Sequence, residues 1–310
     1  MKLFILVFIL ASSLMAIPNP SILKIRGGLF SYYSSHPLKL KTSEIKKAII
    51  IVHGSERNAD TYYKTMASLA LKNNQDSSTL VIAPHFKLST DQLMKDELIF
   101  SEEGWLRGDM SQTSHQVSSF EVIDLFLRQL GDKNFFPLLE EIILTGHSAG
   151  GQLTQRFALG SMTDELFSDV KMKYIIANPG SYTYLNELRD SGNDLWIKPQ
   201  INCRYNDYKF GLENLNGYVG RSFTSDIIKR YIRRDITYMV GSNDTLENID
   251  QTCPAKLQGI NRLVRGMLFK KHLDQFFTDH QHQLIIIPEV GHTQHGIYNS
   301  ALGANLFFLK

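Results

Sequence analysis

The stretch that decides the fold is EEIILTGHSAGGQLTQRFALG, residues 140–160. Apolar Ile142, Ile143 and Leu144 lead through Thr145 into Gly146-His147-Ser148-Ala149-Gly150, and an amphipathic helix pattern follows. A strand, a Gly-x-Ser-x-Gly turn and a helix in succession form a nucleophile elbow. The bend is so tight that side chains at the glycine positions would collide. The serine is held in a strained conformation with its oxygen clear of the sheet edge. The alternative, a polar residue in an ordinary turn, leaves the flanking strand and helix unexplained.

Outward from this segment the same rhythm recurs. Short apolar, β-branched runs lie at 47–54 (KAIIIVHG), 78–85 (STLVIAPH), 172–180 (MKYIIANPG), 235–244 (DITYMVGSND) and 282–292 (HQLIIIPEVGH). Runs that are apolar on both faces fit buried parallel strands. Between them, TYYKTMASLALKNN puts Tyr62, Met66, Leu69 and Ala70 on one helical face. SSFEVIDLFLRQLG does the same with Phe120, Ile123, Phe126, Leu127 and Leu130, and Gly131 supplies a stop. Alternating strand and helix predicts an α/β fold with a mostly parallel sheet. SILKIRG and LFSYYSSHP add two antiparallel edge strands upstream. The connection from Pro179 to about Arg234 is far longer than a helical crossover requires. Its aromatic residues (Tyr182, Tyr184, Trp196, Tyr205, Tyr208, Phe210, Tyr218 and Phe223) suit either a cap over a pocket or a small core of the insertion's own. The domain organisation expected is one domain over 17–310 with an insertion at about 180–234.

The 310 residues carry a formal net charge of +2, and no Lys/Arg run exceeds two residues. That argues against a nucleic-acid surface; KRYIRR at 229–234 reads as a solvated helix face. Lys2, the apolar run LFILVFILA and the small residues around Ala16 read as a secretory signal over residues 1–16. The run is too short to span a bilayer, so no stable membrane span is expected after cleavage. Localisation in the secretory pathway or outside the cell follows. In that setting the two cysteines, Cys203 and Cys253, favour one disulfide.

A serine hydroxyl needs a base, and the base needs an acid to orient it. His292 directly follows the last strand; His295 is its rival in the same loop. Asp244 lies just beyond the strand at 235–240, with Asp250 and then Glu247 as alternatives. The order Ser148, Asp244, His292 is the one this architecture demands. An oxyanion hole needs the amide after the nucleophile, Ala149, and a second from the loop after the strand at 47–54. Ser55 is the natural donor there, or Glu56 if the loop is shifted. His53 and His147 read as braces inside turns. His272, His280 and His282 lack metal-site spacing, and no dinucleotide or phosphate-binding glycine motif occurs, so neither metal nor cofactor is expected. The sequon Asn243-Asp244-Thr245 overlaps the candidate acid and is expected to stay unmodified.

These residues resemble the α/β-hydrolase superfamily over nearly all of the chain after the signal. The resemblance implies a sheet of about eight strands with helices on both faces. HGSERNADTYY, GHSAGGQLTQRFA, ANPGSYTYL, CRYNDYKFGLENL and GSNDTLENIDQTCPAKLQGINRLVRG are also similar to segments of a loosely characterised group of secreted and bacterial α/β hydrolases. Arg57, Asn58, Ala59, Asn178, Pro179, Ser181 and Tyr182 match that group's pattern. Gly180 stands where the group has serine, and Arg204 where it has proline. Cysteines in the same two places reinforce the expected Cys203–Cys253 bridge. The expected function is a secreted serine hydrolase acting on a small or polymeric acyl substrate. A carboxylic ester is favoured because no charged specificity pocket is visible. A peptidase, a lipase or polyester depolymerase, and a catalytically silent binding protein of the same fold are the alternatives.

Overall fold

Strand β3 (Lys47–Val52) alternates its isoleucines between two cores: Ile50 and Val52 face one, Ile49 and Ile51 the other. Burial on both faces is what a continuous apolar run predicts, and it fixes a three-layer architecture. The computed structural model describes residues 17–167, 169–192 and 194–309. The expected signal, residues 1–16, lies outside the described residues.

The chain opens with the antiparallel pair β1 (Ser21–Ile25) and β2 (Gly28–Ser34). After β3 come β4 (Thr79–Pro84), β5 (Glu141–His147) and β6 (Lys171–Ala177). The miniature hairpin β7 (Arg189–Asp190) and β8 (Trp196–Ile197) forms a separate sheet. Strands β9 (Asp235–Gly241) and β10 (Gln283–Ile287) complete the main sheet, ordered β1-β2-β4-β3-β5-β6-β9-β10. Its last six strands are mutually parallel, and β2 joins β4 antiparallel. The expected eight-strand, mostly parallel sheet is therefore present.

Helices α1 (Ala59–Lys72), α2 (Ser119–Gly131), α3 (Ala149–Gly160) and α4 (Thr224–Arg233) are followed by α5 (Cys253–Lys256), α6 (Arg262–Phe276), α7 (Gln294–Asn299) and α8 (Ala301–Phe308). Residues of α2, α3, α4 and α6 pack on one face of the sheet; α1, α7 and α8 pack on the other. Helix α2 starts at a capping box, in which Phe120 N–H donates to Ser118 Oγ and Ser118 N–H to Glu121. Among the described residues no helix is long and apolar enough to cross a membrane.

Two local expectations change. KRYIRR is not a wholly solvated face: Tyr231 is fully buried, and Arg234 lies inside with its guanidinium donating to Ser161 O at 2.7 Å. A helix-terminal arginine can bury when carbonyls of a neighbouring helix end accept its N–H groups. The aromatics of residues 180–234 mostly serve internal packing. Tyr182 stacks on Phe269, Tyr184 packs against Phe269 and His272, and Tyr218 Oη donates to buried Asp124 at 2.7 Å. Of the eight, Phe210 lines the large cavity beside Ser148. The segment nevertheless supplies Gly180, Lys209 and Phe210 to one cavity wall.

Cys203 and Cys253 are bonded, with Cα atoms 6.2 Å apart. The bond joins this long connection to the start of α5. Arg204, next to the bridge, has φ +49°, which proline cannot adopt. Proline, which the resembling group has there, would not fit this backbone.

Candidate active site

The elbow follows from what glycine alone permits. A Cβ on Gly146 would lie 2.3 Å from the Gly150 carbonyl oxygen, and one on Gly150 would lie 2.3 Å from Val52 O and 2.4 Å from His53 O. Helix α3 can therefore start hard against β3 and β5 only without those side chains. Between them Ser148 takes φ 59°, ψ −119°, a conformation that non-glycine residues hold only under compulsion. Ser148 N–H donates to Ala177 O at 3.0 Å, tying the turn to β6.

Ser148 Oγ lies 2.9 Å from His292 Nε2, and His292 Nδ1 lies 2.7 Å from Asp244 Oδ2. Asp244 is almost fully buried, and its carboxylate sets the tautomer by accepting from Nδ1–H. Nε2 is then free to accept from the serine hydroxyl. Ser148 comes from the β5–α3 turn, Asp244 from the loop after β9, and His292 from the loop after β10. All three lie at the carboxyl ends of parallel strands, where open α/β sheets place ligands.

The rivals stand elsewhere. His295 is exposed on α7 beside Asn299, Glu247 is exposed, and Asp250 caps Thr252 N–H at 2.9 Å. Asn243 is exposed beside the buried acid. His280 bonds Asp274, and His282 bonds Tyr231 O and Tyr238 Oη; both precede β10, while His272 lies apart on α6. Among the described residues no group of three potential ligands could hold a metal ion.

Ser55 and Ala149 line the same cavity as Ser148. Ala149 is the first residue of α3, so its N–H has no acceptor within the helix. The loop carrying Ser55 is held by Arg57, which donates to Ser55 O at 2.9 Å and makes a two-bond fork to Asp91 at 2.8 and 2.9 Å. That fork holds the Asp91 carboxyl down at about 2. Phe86 N–H donates to His53 Nε2 at 3.0 Å and His53 Nδ1 to Gly54 O at 2.8 Å; burial depresses this imidazole to about 3, so it stays neutral.

His147, the last residue of β5 rather than a turn residue, lies closer to the chemistry. Its ring packs on that of His292, with centroids 4.6 Å apart. Burial above all, then the neighbouring His292, pushes its pKa well down. Asn178 Nδ2 donates to His147 Nε2 at 3.2 Å, which leaves Nδ1–H to meet Tyr62 Oη at 3.3 Å. Asn178 has φ +43°, and its Oδ1 accepts from Gly241 N–H at 2.9 Å. It thereby ties β6 to β9 beneath the Asp244 loop. Asn178 and Arg57 stand in the segments that resemble known hydrolases, but their bracing roles had no local signal. Arg262, whose guanidinium is 3.5 Å from Asp244 Oδ1, had none either, because its partner lies 18 residues upstream.

Two cavities meet at Ser148. The larger, about 800 Å³, is lined by Arg57, Glu102, Glu103, Lys209, Asp250 and Arg262, with Trp105, Leu106 and Phe210 as apolar wall. The smaller, about 320 Å³, lies on the His292 side against Tyr62, His147 and Gln294. The expectation of no charged pocket is overturned, because charged residues from Arg57 to Arg262, far apart in the chain, converge on one cavity. Gly180 borders it too, where a Cβ would sit 3.3 Å from Gln152 Nε2, so a serine there would crowd that amide.

No family model and no curated protein matches the chain. Solved structures do. A poly(3-hydroxybutyrate) depolymerase, LpqC, from Bordetella parapertussis superposes with a TM-score of 0.67 at 19% identity, over 94% of this chain and 89% of the other. Poly(aspartic acid) hydrolase-1 from Sphingomonas sp. KT-1 gives 0.65 at 19% identity, over 94% of this chain and 100% of the other. Together with the strand order and the turn around Ser148, that likeness shows that this chain has the α/β-hydrolase fold.

Proposed function

We propose that the protein is a serine hydrolase that cleaves an acyl bond through a covalent acyl-enzyme. The observation that carries this reading is the continuous chain of contacts from Ser148 Oγ through His292 to Asp244, built on a strained serine. Ser148 Oγ attacks the acyl carbonyl as its proton passes to His292 Nε2, and buried Asp244 stabilises the imidazolium. The N–H groups of Ser55 and Ala149 receive the oxyanion. The imidazolium returns the proton to the leaving group, and water, deprotonated by the same nitrogen, releases the acid and frees Ser148.

His292 borders the smaller cavity, so the leaving group exits there and the acyl part occupies the larger one. The charged wall favours a polar acyl part over a long alkyl chain, which counts against a lipase. We retain a carboxylic ester as the first reading and secretion as the setting, on the apolar start of the sequence. The two structural neighbours act, by their names, on a polyester and on a poly(amino acid), and the charged cavity gives amide cleavage a specific ground as the second reading.

A fluorophosphonate tests the chemistry. The native protein is expected to be labelled and Ser148→Ala not; absence of label on native, folded protein overturns the proposal. A panel of p-nitrophenyl esters and peptide amides, polar and alkyl, then separates the two readings.

A further inference from the structure

Arg262 is an odd residue for its place. It is the first residue of α6, where the helix dipole disfavours a cation. Its side chain is only 11% exposed, and its Nε is buried with no hydrogen-bond partner among the described residues. A buried guanidinium with an unmet donor costs stability unless something holds it. What it meets is Asp244, at 3.5 Å from the oxygen that does not bond His292. The amino end of α6 also closes on this residue, with Leu263 N–H donating to Asp244 O at 3.3 Å. The guanidinium thus approaches the carboxylate at the oxygen that His292 leaves free, while the helix end holds the backbone carbonyl of the same residue.

We propose that Arg262 is a positioning residue that sets the proton affinity of His292 by partly neutralising Asp244. A carboxylate beside an imidazole raises its proton affinity, and a cation beside that carboxylate opposes the effect. This inference rests on the hydrolase reading for its consequence in catalysis, not for its electrostatics. The other groups facing His292 are neutral His147 and Tyr62, with exposed Glu56 and His295 across the smaller cavity. None of them touches Asp244 in the way Arg262 does.

The test follows the His292 ring by NMR through a pH titration in native protein, Arg262→Gln and Arg262→Lys. The glutamine variant is expected to move the His292 midpoint up by about 0.5–1 pH unit, a threefold to tenfold gain in proton affinity. The lysine variant is expected to restore the native midpoint. Equal midpoints in all three folded proteins overturn the proposal. If Arg262→Gln does not fold, a native-like midpoint in Arg262→Lys against an upward shift in Arg262→Met decides in the same way. The acid limb of kcat/KM should move with the ring. A shift in the ring without fluorophosphonate labelling of native protein would sink the hydrolase reading and leave the role of Arg262 standing.

Discussion

Asn178 shows how much a single amide can hold. It adopts a left-handed backbone, donates to the ring that packs on His292, and accepts the N–H of Gly241. Asn178→Ala leaves that buried N–H unmet, which costs about 1–3 kcal/mol. It also unlocks His147 and the loops beneath Asp244 and His292. We expect kcat to fall about 10–100-fold, because small misplacements of reacting groups are that expensive. Asn178→Asp keeps the acceptor for Gly241 N–H but loses the donor to His147 Nε2 and buries a carboxyl, so it should stay well below native stability. Urea denaturation beside steady-state kinetics checks both, and an alanine variant with native kinetics would remove Asn178 from the support of the site. Ser148, Asp244 and His292 could be named as candidates from local pattern and chain order. The residues that brace them could not, because their partners are set by how separate strand ends meet.

The element that matters most is the β5–α3 turn. The same geometry that lifts Ser148 forces α3 against the ends of β3 and β5. Gly150→Ala is expected to destabilise by about 3 kcal/mol or more, since the new methyl would strike backbone oxygens that cannot rotate away. Gly217→Ala, which meets nothing within 4 Å, should stay within about 0.5 kcal/mol of native. Equal urea midpoints for the two would show the strand–helix gap to be looser than described. Elements such as this were readable because periodicity and glycine spacing are local. The six parallel strands fell where continuous apolar runs stood, and α2 stopped at Gly131 as its sequence implied. What defeated local reading was the long connection after β6. Its aromatics suited either a cap over a pocket or a core of the insertion's own, and Tyr182 and Tyr184 instead turn inward against α6, a helix about 80 residues further on. Arg234 likewise reads as surface and is buried by carbonyls from α3 and the residue after it.

Across the whole molecule, the Cys203–Cys253 bond closes a loop with a sequence separation of 50 and joins the long connection to the cavity wall formed by Asn248, Ile249, Asp250, Thr252 and Pro254. Replacing both cysteines with serine is expected to cost about 4 kcal/mol on the chain-entropy model and to lower Tm by roughly 5–10 °C. Because the wall and not the Ser148–His292 contact is released, KM should rise more than kcat falls. Kinetics below the melting range would show this, and an unchanged KM would mean the wall stands without its staple. The order of parts along the chain has a different consequence. The candidate nucleophile Ser148 is in place once β5 and α3 have packed, but the candidate base His292 hangs from β10, which among the described residues lies at the sheet's rim against β9 alone. On the proposed mechanism, a nascent polypeptide whose last strand has not docked would carry the attacking alcohol with nothing to deprotonate it, and would stay inert until assembly is complete.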